Sequence, residues 1–215
     1  ASGGVVGVGR VGRQVVDVFA GFGMDVLKND PPRAQAEGPE GFVALEELLD
    51  SCQVVAGHLP LVRGGPHPTQ GLFSKRNLSR LRHGALFLNA GRGATAVSGD
   101  LAELARERPD LTIALDVFDP EPSVPVGLAK AARWISPHVA GYSLEGKLEG
   151  TRMVRRALGE FLGLADWHLP ASPTRALDAL ALRLPDGTAV SRRSDPWDAL
   201  CALVVAAWNP SDDDQ

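Results

Sequence analysis

The stretch Val5–Phe19, VVGVGRVGRQVVDVF, decides how the rest of this chain is read. Val5–Val8 has the apolar, β-branched character of a short buried strand. From Val11 onward apolar side chains recur at helical spacing, at Val11, Val15, Val18 or Phe19, and Phe22, so a helix is expected next. Between the two lie Gly7, Gly9 and Gly12 in G-x-G-x-x-G order. In a strand-to-helix turn that holds a dinucleotide, each glycine has a reason. The first permits the turn, the second lets the backbone approach a pyrophosphate, and the third lets the helix pack on the sheet. The helix N-terminus then draws the phosphate charge. A plain glycine-rich turn has the same pattern, so the flanking sequence must discriminate.

That flanking sequence favours the dinucleotide reading. Met24–Asn29 reads as a second strand, closed by Asp30-Pro31-Pro32, because proline cannot continue a ladder. Asp30 stands 18 residues after Gly12, about where an acid accepts hydrogen bonds from the adenosine ribose. A carboxylate there also repels a 2′-phosphate, which weights the choice to NAD. Asp25 is the competing acid but sits inside the strand, and Lys28 and Arg33 close by pull toward NADP.

Farther along, apolar β-formers alternate with amphipathic helical stretches. Strands are expected at Gln53–Gly57, Ala85–Asn89, Leu111–Val117 and Trp134–Ser136. Helices are expected at Leu45–Leu49, Ser74–Leu81, Gly99–Glu107 and Leu144–Leu162. Strands separated by helices imply βαβ units, hence an α/β fold of the Rossmann type with a doubly wound parallel sheet. The texture changes after Leu169. LPASPTRA is linker-like, and a strand, an Asp186-Gly187 turn and a helix to about Trp208 suggest a small α+β C-terminal unit at 170–210. Residues 1–165 form the first domain in this reading.

The ends of the later strands carry a second set of residues. LFLNAGRG (Leu86–Gly93), LDVFDPEP (Leu115–Pro122) and SPHVAGY (Ser136–Tyr142) each form or follow a strand terminus. Ligands of open α/β sheets sit at those carboxyl ends, so Arg92, Glu121 and His138 can converge on one crevice. The chemistry is coherent. When a carbon gives up hydride, a base must take the hydroxyl proton, and histidine does so near neutral pH. A carboxylate behind the imidazole stabilises its protonated form. An arginine fork holds a substrate carboxylate and polarises the neighbouring oxygen. Taken singly, each residue reads equally well as a surface or capping residue.

Other classes are excluded or disfavoured. The chain has 215 residues, of which 44% are hydrophobic and 22% charged, and a formal net charge of −4. That balance suits a soluble globular protein and gives no footprint for nucleic acid. Cys52 and Cys201 form no metal or disulfide motif, so a reducing compartment is expected. The apolar run Ala199–Trp208 is too short to span a bilayer. His58 ends a strand beside the expected cleft, whereas His67, His83 and His168 read as solvent-facing. No histidine pair has metal-ligand spacing, so no metal is expected. Ser2, Ser98 and Ser143 lack a nucleophile-elbow setting. The chain opens on ASGG rather than Met, which suggests a piece of a longer protein.

Together GVGRVG, NAGRG, LDVFDPEP and SPHVAGY resemble the NAD-dependent D-2-hydroxyacid dehydrogenases. DPPR (Asp30–Arg33), GGPHPTQGLF (Gly64–Phe73) and above all HVAGYSLEGK (His138–Lys147) resemble the branch that acts on a phosphorylated four-carbon 2-hydroxy acid. The resemblance is firm over Gly4–Leu162. It implies that Arg92 binds and polarises substrate, that Glu121 pairs with His138, and that His138 is the proton donor or acceptor. It places Arg10 and Val11 against the pyrophosphate and Asp30 on the ribose. Asp116 and Gly141 would line the nicotinamide side, and Tyr142 would contact the phosphorylated substrate. It further implies a cytoplasmic homodimer, with 170–210 part of a dimerisation domain.

The family also carries a substrate domain ahead of the glycine motif, which is expected to be missing here. Leu59 stands where relatives often have a cofactor-side Thr, and Ser98 where they often have Asp. Two alternatives are carried alongside: another D-2-hydroxyacid dehydrogenase, such as one acting on 3-phosphoglycerate, and an NAD(H)-binding module without chemistry.

Overall fold

The computed structural model describes residues 1–163; the linker, the expected unit at 170–210 and the acidic tail lie outside the described residues. Six strands form one sheet: β1 (Ser2–Val6), β2 (Asp25–Asn29), β3 (Val54–Gly57), β4 (Leu86–Asn89), β5 (Thr112–Leu115) and β6 (Trp134–Ile135). All pairings are parallel, in the order β2-β1-β3-β4-β5-β6. The helices are α1 (Arg10–Gly21), α2 (Pro31–Glu37), α3 (Leu45–Ser51), α4 (Lys75–Leu78), α5 (Ser98–Glu107), α6 (Val126–Ala131) and α7 (Leu144–Leu162).

Two adjacent glycines show that the sheet is covered on both faces. Side chains of successive strand residues point to opposite faces. A Cβ on Gly3 would lie 2.5 Å from Phe19 of α1, while one on Gly4 would collide with Leu48 of α3. The two helices therefore flank β1 from opposite sides, as a doubly wound sheet requires. Parallel strands covered on both faces read as continuous apolar runs, and β3 is buried along its whole length. The core gathers Val6, Val55, Phe87 and Ile113 of the strands against Leu48, Leu49, Leu78, Leu101, Leu104 and Leu128 of the helices. Phe73 meets Phe87 edge-on, with ring centroids 4.9 Å apart.

The chain runs from β1 outward to β2, then crosses to place β3 on the other side of β1. The crevice above β1 and β3 is thus the topological switch point, where open α/β sheets bind ligands.

Several expected boundaries shift. β1 occupies Ser2–Val6 rather than Val5–Val8, because Gly3 and Gly4, poor strand formers by propensity, are what allow α1 and α3 to pack so closely. Gly7, at φ 87°, ends the strand. Asp30-Pro31-Pro32 closes β2 and also starts α2, with the Asp30 side chain as N-cap and proline in the first turn. α4 is a single turn, shorter than Ser74–Leu81. β5 ends at Leu115 rather than Val117. The six-residue α6 was not expected; a helix so short, with Gly127 inside it, shows no legible periodicity.

Two compact units divide the chain, Ala1–His138 and a second beginning at Val139. Within the second, the Ser143 hydroxyl caps α7 by accepting from Gly146 N, and Gly163 ends it in the left-handed conformation at φ 67°.

Candidate functional site

The site is built on aligned strand ends. Val6 is in register with Asn29 and Gly57, Gly57 with Asn89, Asn89 with Leu115, and Leu115 with Ile135. The residues one step beyond are Gly7, Asp30, His58, Ala90, Asp116 and Ser136, which therefore form one rim. Hydrogen bonds extend the ladder into it: Gly7 N donates to Asn29 O (2.8 Å), His58 N to Val6 O (2.8 Å), Asp116 N to Asn89 O (3.0 Å) and Ser136 N to Leu115 O (2.9 Å).

At one end of the rim, the glycine loop fits a dinucleotide. A Cβ on Gly12 would collide with the Gly7 carbonyl, so the protein's own packing dictates Gly12. At Gly9 a Cβ would meet nothing within 4 Å. Internal packing therefore does not explain Gly9; the open space over it is where a pyrophosphate would approach. Gly9, Arg10 and Val11 are exposed at the N-terminus of α1. Asp30 reaches into the loop: one carboxylate oxygen accepts from Val8 N at 2.8 Å and the other from Arg33 N at 3.1 Å. Leu59 is buried in the core, beside Gly7 and Gly91. His58 lies at the switch point; burial lowers its pKa, and its Nε2 is buried without a hydrogen-bond partner.

Farther along the rim, the loops after β4 and β5 are brought together. Asn89, fully buried at the end of β4, donates to Thr95 Oγ1 (3.3 Å) and Arg92 O (3.4 Å), while its carbonyl accepts from Gly91 N (3.2 Å). Thr95 Oγ1 donates to Arg92 O at 2.6 Å. This network fixes the backbone that carries Arg92. Gly93 packs so tightly on Phe118 that any Cβ would strike the Phe118 carbonyl. The Phe118 N–H in turn donates to Glu121 Oε1 at 2.8 Å. Ser98 Oγ donates to Asp119 O at 3.0 Å and pins the same loop.

Glu121 Oε2 lies 2.8 Å from Nδ1 of His138, so the ring's other nitrogen, Nε2, lies outside this bond. Burial pushes the Glu121 carboxyl up. The Phe118 N–H, the bond and charge of His138, and the charge of Arg92 outweigh it, so the net shift is downward. Arg92, Glu121 and His138, far apart in sequence, therefore share one electrostatic environment. His138 has φ 57°, in the left-handed region that is uncommon for residues other than glycine. Such strain clusters at functional positions. Buried Asp116 accepts from Ser136 Oγ at 2.5 Å.

Gly141 and Tyr142 belong to the second unit and are exposed. There the Lys147 ammonium lies 3.5 Å from the centroid of the Tyr142 ring. Asn89, Thr95, Ser136 and Lys147 were not singled out from the sequence. A polar residue closing an apolar run, as Asn89 closes LFLN, was the available signal.

A doubly wound parallel sheet with a glycine loop at its switch point, and Arg92, Glu121 and His138 gathered in the loops beyond its later strands, is the architecture of a dinucleotide-binding domain. Comparison with known proteins narrows that class. Residues 2–140 match the D-isomer specific 2-hydroxyacid dehydrogenase family, NAD binding domain, and the chain belongs to that family. It is 40% identical over 213 residues to a protein named erythronate-4-phosphate dehydrogenase from Pseudomonas fluorescens, covering 98% of this chain and 54% of that one. It is 43% identical over 213 residues to a protein of the same name from Azotobacter vinelandii, with the same coverage. The chain thus spans about half the length of these relatives. The fold is shared with a D-isomer specific 2-hydroxyacid dehydrogenase from Lactobacillus delbrueckii ssp. bulgaricus in its NAD-complexed form. The TM-score is 0.61 at 22% identity, covering 80% of this chain and 55% of that one.

Proposed function

We propose that this chain is the cofactor-binding and proton-transferring part of an erythronate-4-phosphate dehydrogenase. The reaction is oxidation of 4-phospho-D-erythronate to (R)-3-hydroxy-2-oxo-4-phosphooxybutanoate, a step in pyridoxal 5′-phosphate formation. The observation that carries the proposal is the Glu121–His138 pair, 2.8 Å apart, with Arg92 in its field. The names of the relatives supply the substrate.

In this reading, Gly7, Gly9, Arg10, Val11 and Gly12 hold the pyrophosphate and Asp30 accepts from the ribose hydroxyls. Leu59 and Asp116 flank the rest of the cofactor. Bound NAD supplies the acceptor for the hydride that leaves C2 of the substrate. His138 Nε2 takes the C2 hydroxyl proton as that hydride departs. Glu121 stays ionised behind the ring, fixes its tautomer through Nδ1 and stabilises the imidazolium. Arg92 binds the substrate carboxylate and polarises the C2 oxygen. The whole protein acts in the cytoplasm as a homodimer.

The test is a substrate panel on the full-length gene product. NAD reduction with 4-phospho-D-erythronate, absent with 3-phosphoglycerate, supports the reading. The reverse preference would assign the site to another 2-hydroxy acid, and cofactor binding without any turnover would make it a binding module.

A further inference from the structure

We propose that Glu37 sets the preference for NAD over NADP, by occupying the Arg33 guanidinium that would otherwise receive a 2′-phosphate. The proposal rests on Asp30 marking the ribose position. Asp30 accepts from Val8 N, and Arg33 Nη1 donates to Val8 O at 2.6 Å. Both side chains therefore hold the same residue of the glycine loop, and the guanidinium stands beside whatever Asp30 holds. An arginine in that neighbourhood is the usual receiver of a 2′-phosphate.

Here the edge of its fork formed by Nε and Nη2 is already engaged. Arg33 Nε donates to Glu37 Oε1 at 2.8 Å and Nη2 to Glu37 Oε2 at 2.5 Å, a two-pronged pair within α2. Arg13 Nη2 lies 3.7 Å from the same carboxylate. The aromatic face of Phe42 lies 5.4 Å from the Arg33 guanidinium and 5.1 Å from Lys28 Nζ, which keeps both cations on this side. The hydrogen bond from Arg33, opposed by burial and aided by the charges of Arg33, Arg13 and Lys28, holds the Glu37 carboxyl below its ordinary value. A 2′-phosphate would have to displace Glu37 while facing Asp30. The pair is open to solvent and contributes little to stability; its effect is on which charge the pocket accepts.

The experiment is calorimetric titration of the protein with NADH and NADPH, in wild type, Glu37→Gln, Glu37→Gln with Arg33→Met, and Asp30→Ala. Thermal melts confirm that each is folded. The proposal predicts that wild type prefers NADH and that Glu37→Gln tightens NADPH binding about tenfold, the scale of one charge-assisted hydrogen bond. NADH affinity should change by no more than about twofold. Adding Arg33→Met should remove the gain, and added salt should shrink it. An unchanged NADPH-to-NADH ratio in Glu37→Gln, with a shifted ratio in Asp30→Ala, would overturn the role of Glu37 and leave selectivity with Asp30. A gain that survives without Arg33 would also overturn it. Unchanged affinities in Asp30→Ala, or no binding by wild type, would overturn the ribose assignment and this proposal with it.

Discussion

His138 Nδ1 lies 2.8 Å from Glu121 Oε2, and the second oxygen of that carboxylate is held by the Phe118 N–H, also at 2.8 Å. The imidazole is thus anchored through its carboxylate to the loop after β5. Glu121→Gln keeps the shape but removes the charge that stabilises an imidazolium. Turnover of the full-length protein should fall by about 10²-fold or more, with cofactor affinity unchanged. Steady-state kinetics beside a binding titration check this; a drop in cofactor affinity alone would point to a packing role.

Asn89 should matter for stability and for Arg92 together. Asn89→Leu keeps the volume but leaves Gly91 N–H without its acceptor and takes one donor from Arg92 O, which keeps Thr95 Oγ1. The expected cost is about 2 kcal/mol, the scale of buried polar groups left unpaired, measured by denaturant unfolding. Thr95→Val should lose less and Thr95→Ser close to nothing. In kinetics these changes should raise KM for substrate more than they alter cofactor affinity, because the loop they hold carries Arg92.

These two cases show what the sequence makes legible. The glycine triad and Asp30 stand out as unusual residue types where β1 and β2 end, and Arg92, Glu121 and His138 become candidates as charged or titratable residues in the loops that follow β4, β5 and β6. Periodicity also located α1, α3, α5 and α7. Asn89, Thr95 and Ser136 were not seen, because their importance comes from partners brought close only by the fold. Gly3 and Gly4 misled the placement of β1: propensity counts glycine against a strand, whereas close helix packing demands it here. The short α6 is stabilised by the burial of Leu128 rather than by any local pattern.

Cys52 should be silent toward thiol reagents. It is fully buried in the core, and burial pushes its thiol up to about 11, with Arg82 opposing only slightly. The thiolate is the reactive form. In the native protein it should therefore react orders of magnitude more slowly than after unfolding. Rapid labelling under native conditions would show that the core around α3 opens.

Acid should weaken the fold partly through Asp110. The Arg108 hydrogen bond first, and the Gly84 N–H next, hold its carboxyl well below the usual range, against a smaller opposing effect of burial. A carboxylate depressed in the folded state contributes stability that is full above its unfolded value. That contribution fades as pH falls toward the folded one. Asp110→Asn should therefore lower Tm at neutral pH and flatten the loss of Tm between about pH 5 and pH 2. Parallel Tm–pH curves for variant and wild type would remove Asp110 from the acid response.

Asp30 has a structural duty separate from any ligand. Asp30→Ala removes the α2 cap, at about 1 kcal/mol, and releases Val8 N. Cofactor affinity should fall as well, so NADH should raise the Tm of the variant less than that of the wild type. Melts with and without NADH separate the two effects.

The most direct test of the account is NAD reduction by the full-length gene product supplied with 4-phospho-D-erythronate, compared with His138→Asn. The account predicts substrate-dependent NADH formation in the wild type, lost in His138→Asn while the variant still binds NADH. Turnover that survives in His138→Asn, or a wild type that binds NADH and never reduces NAD with this substrate, would contradict it.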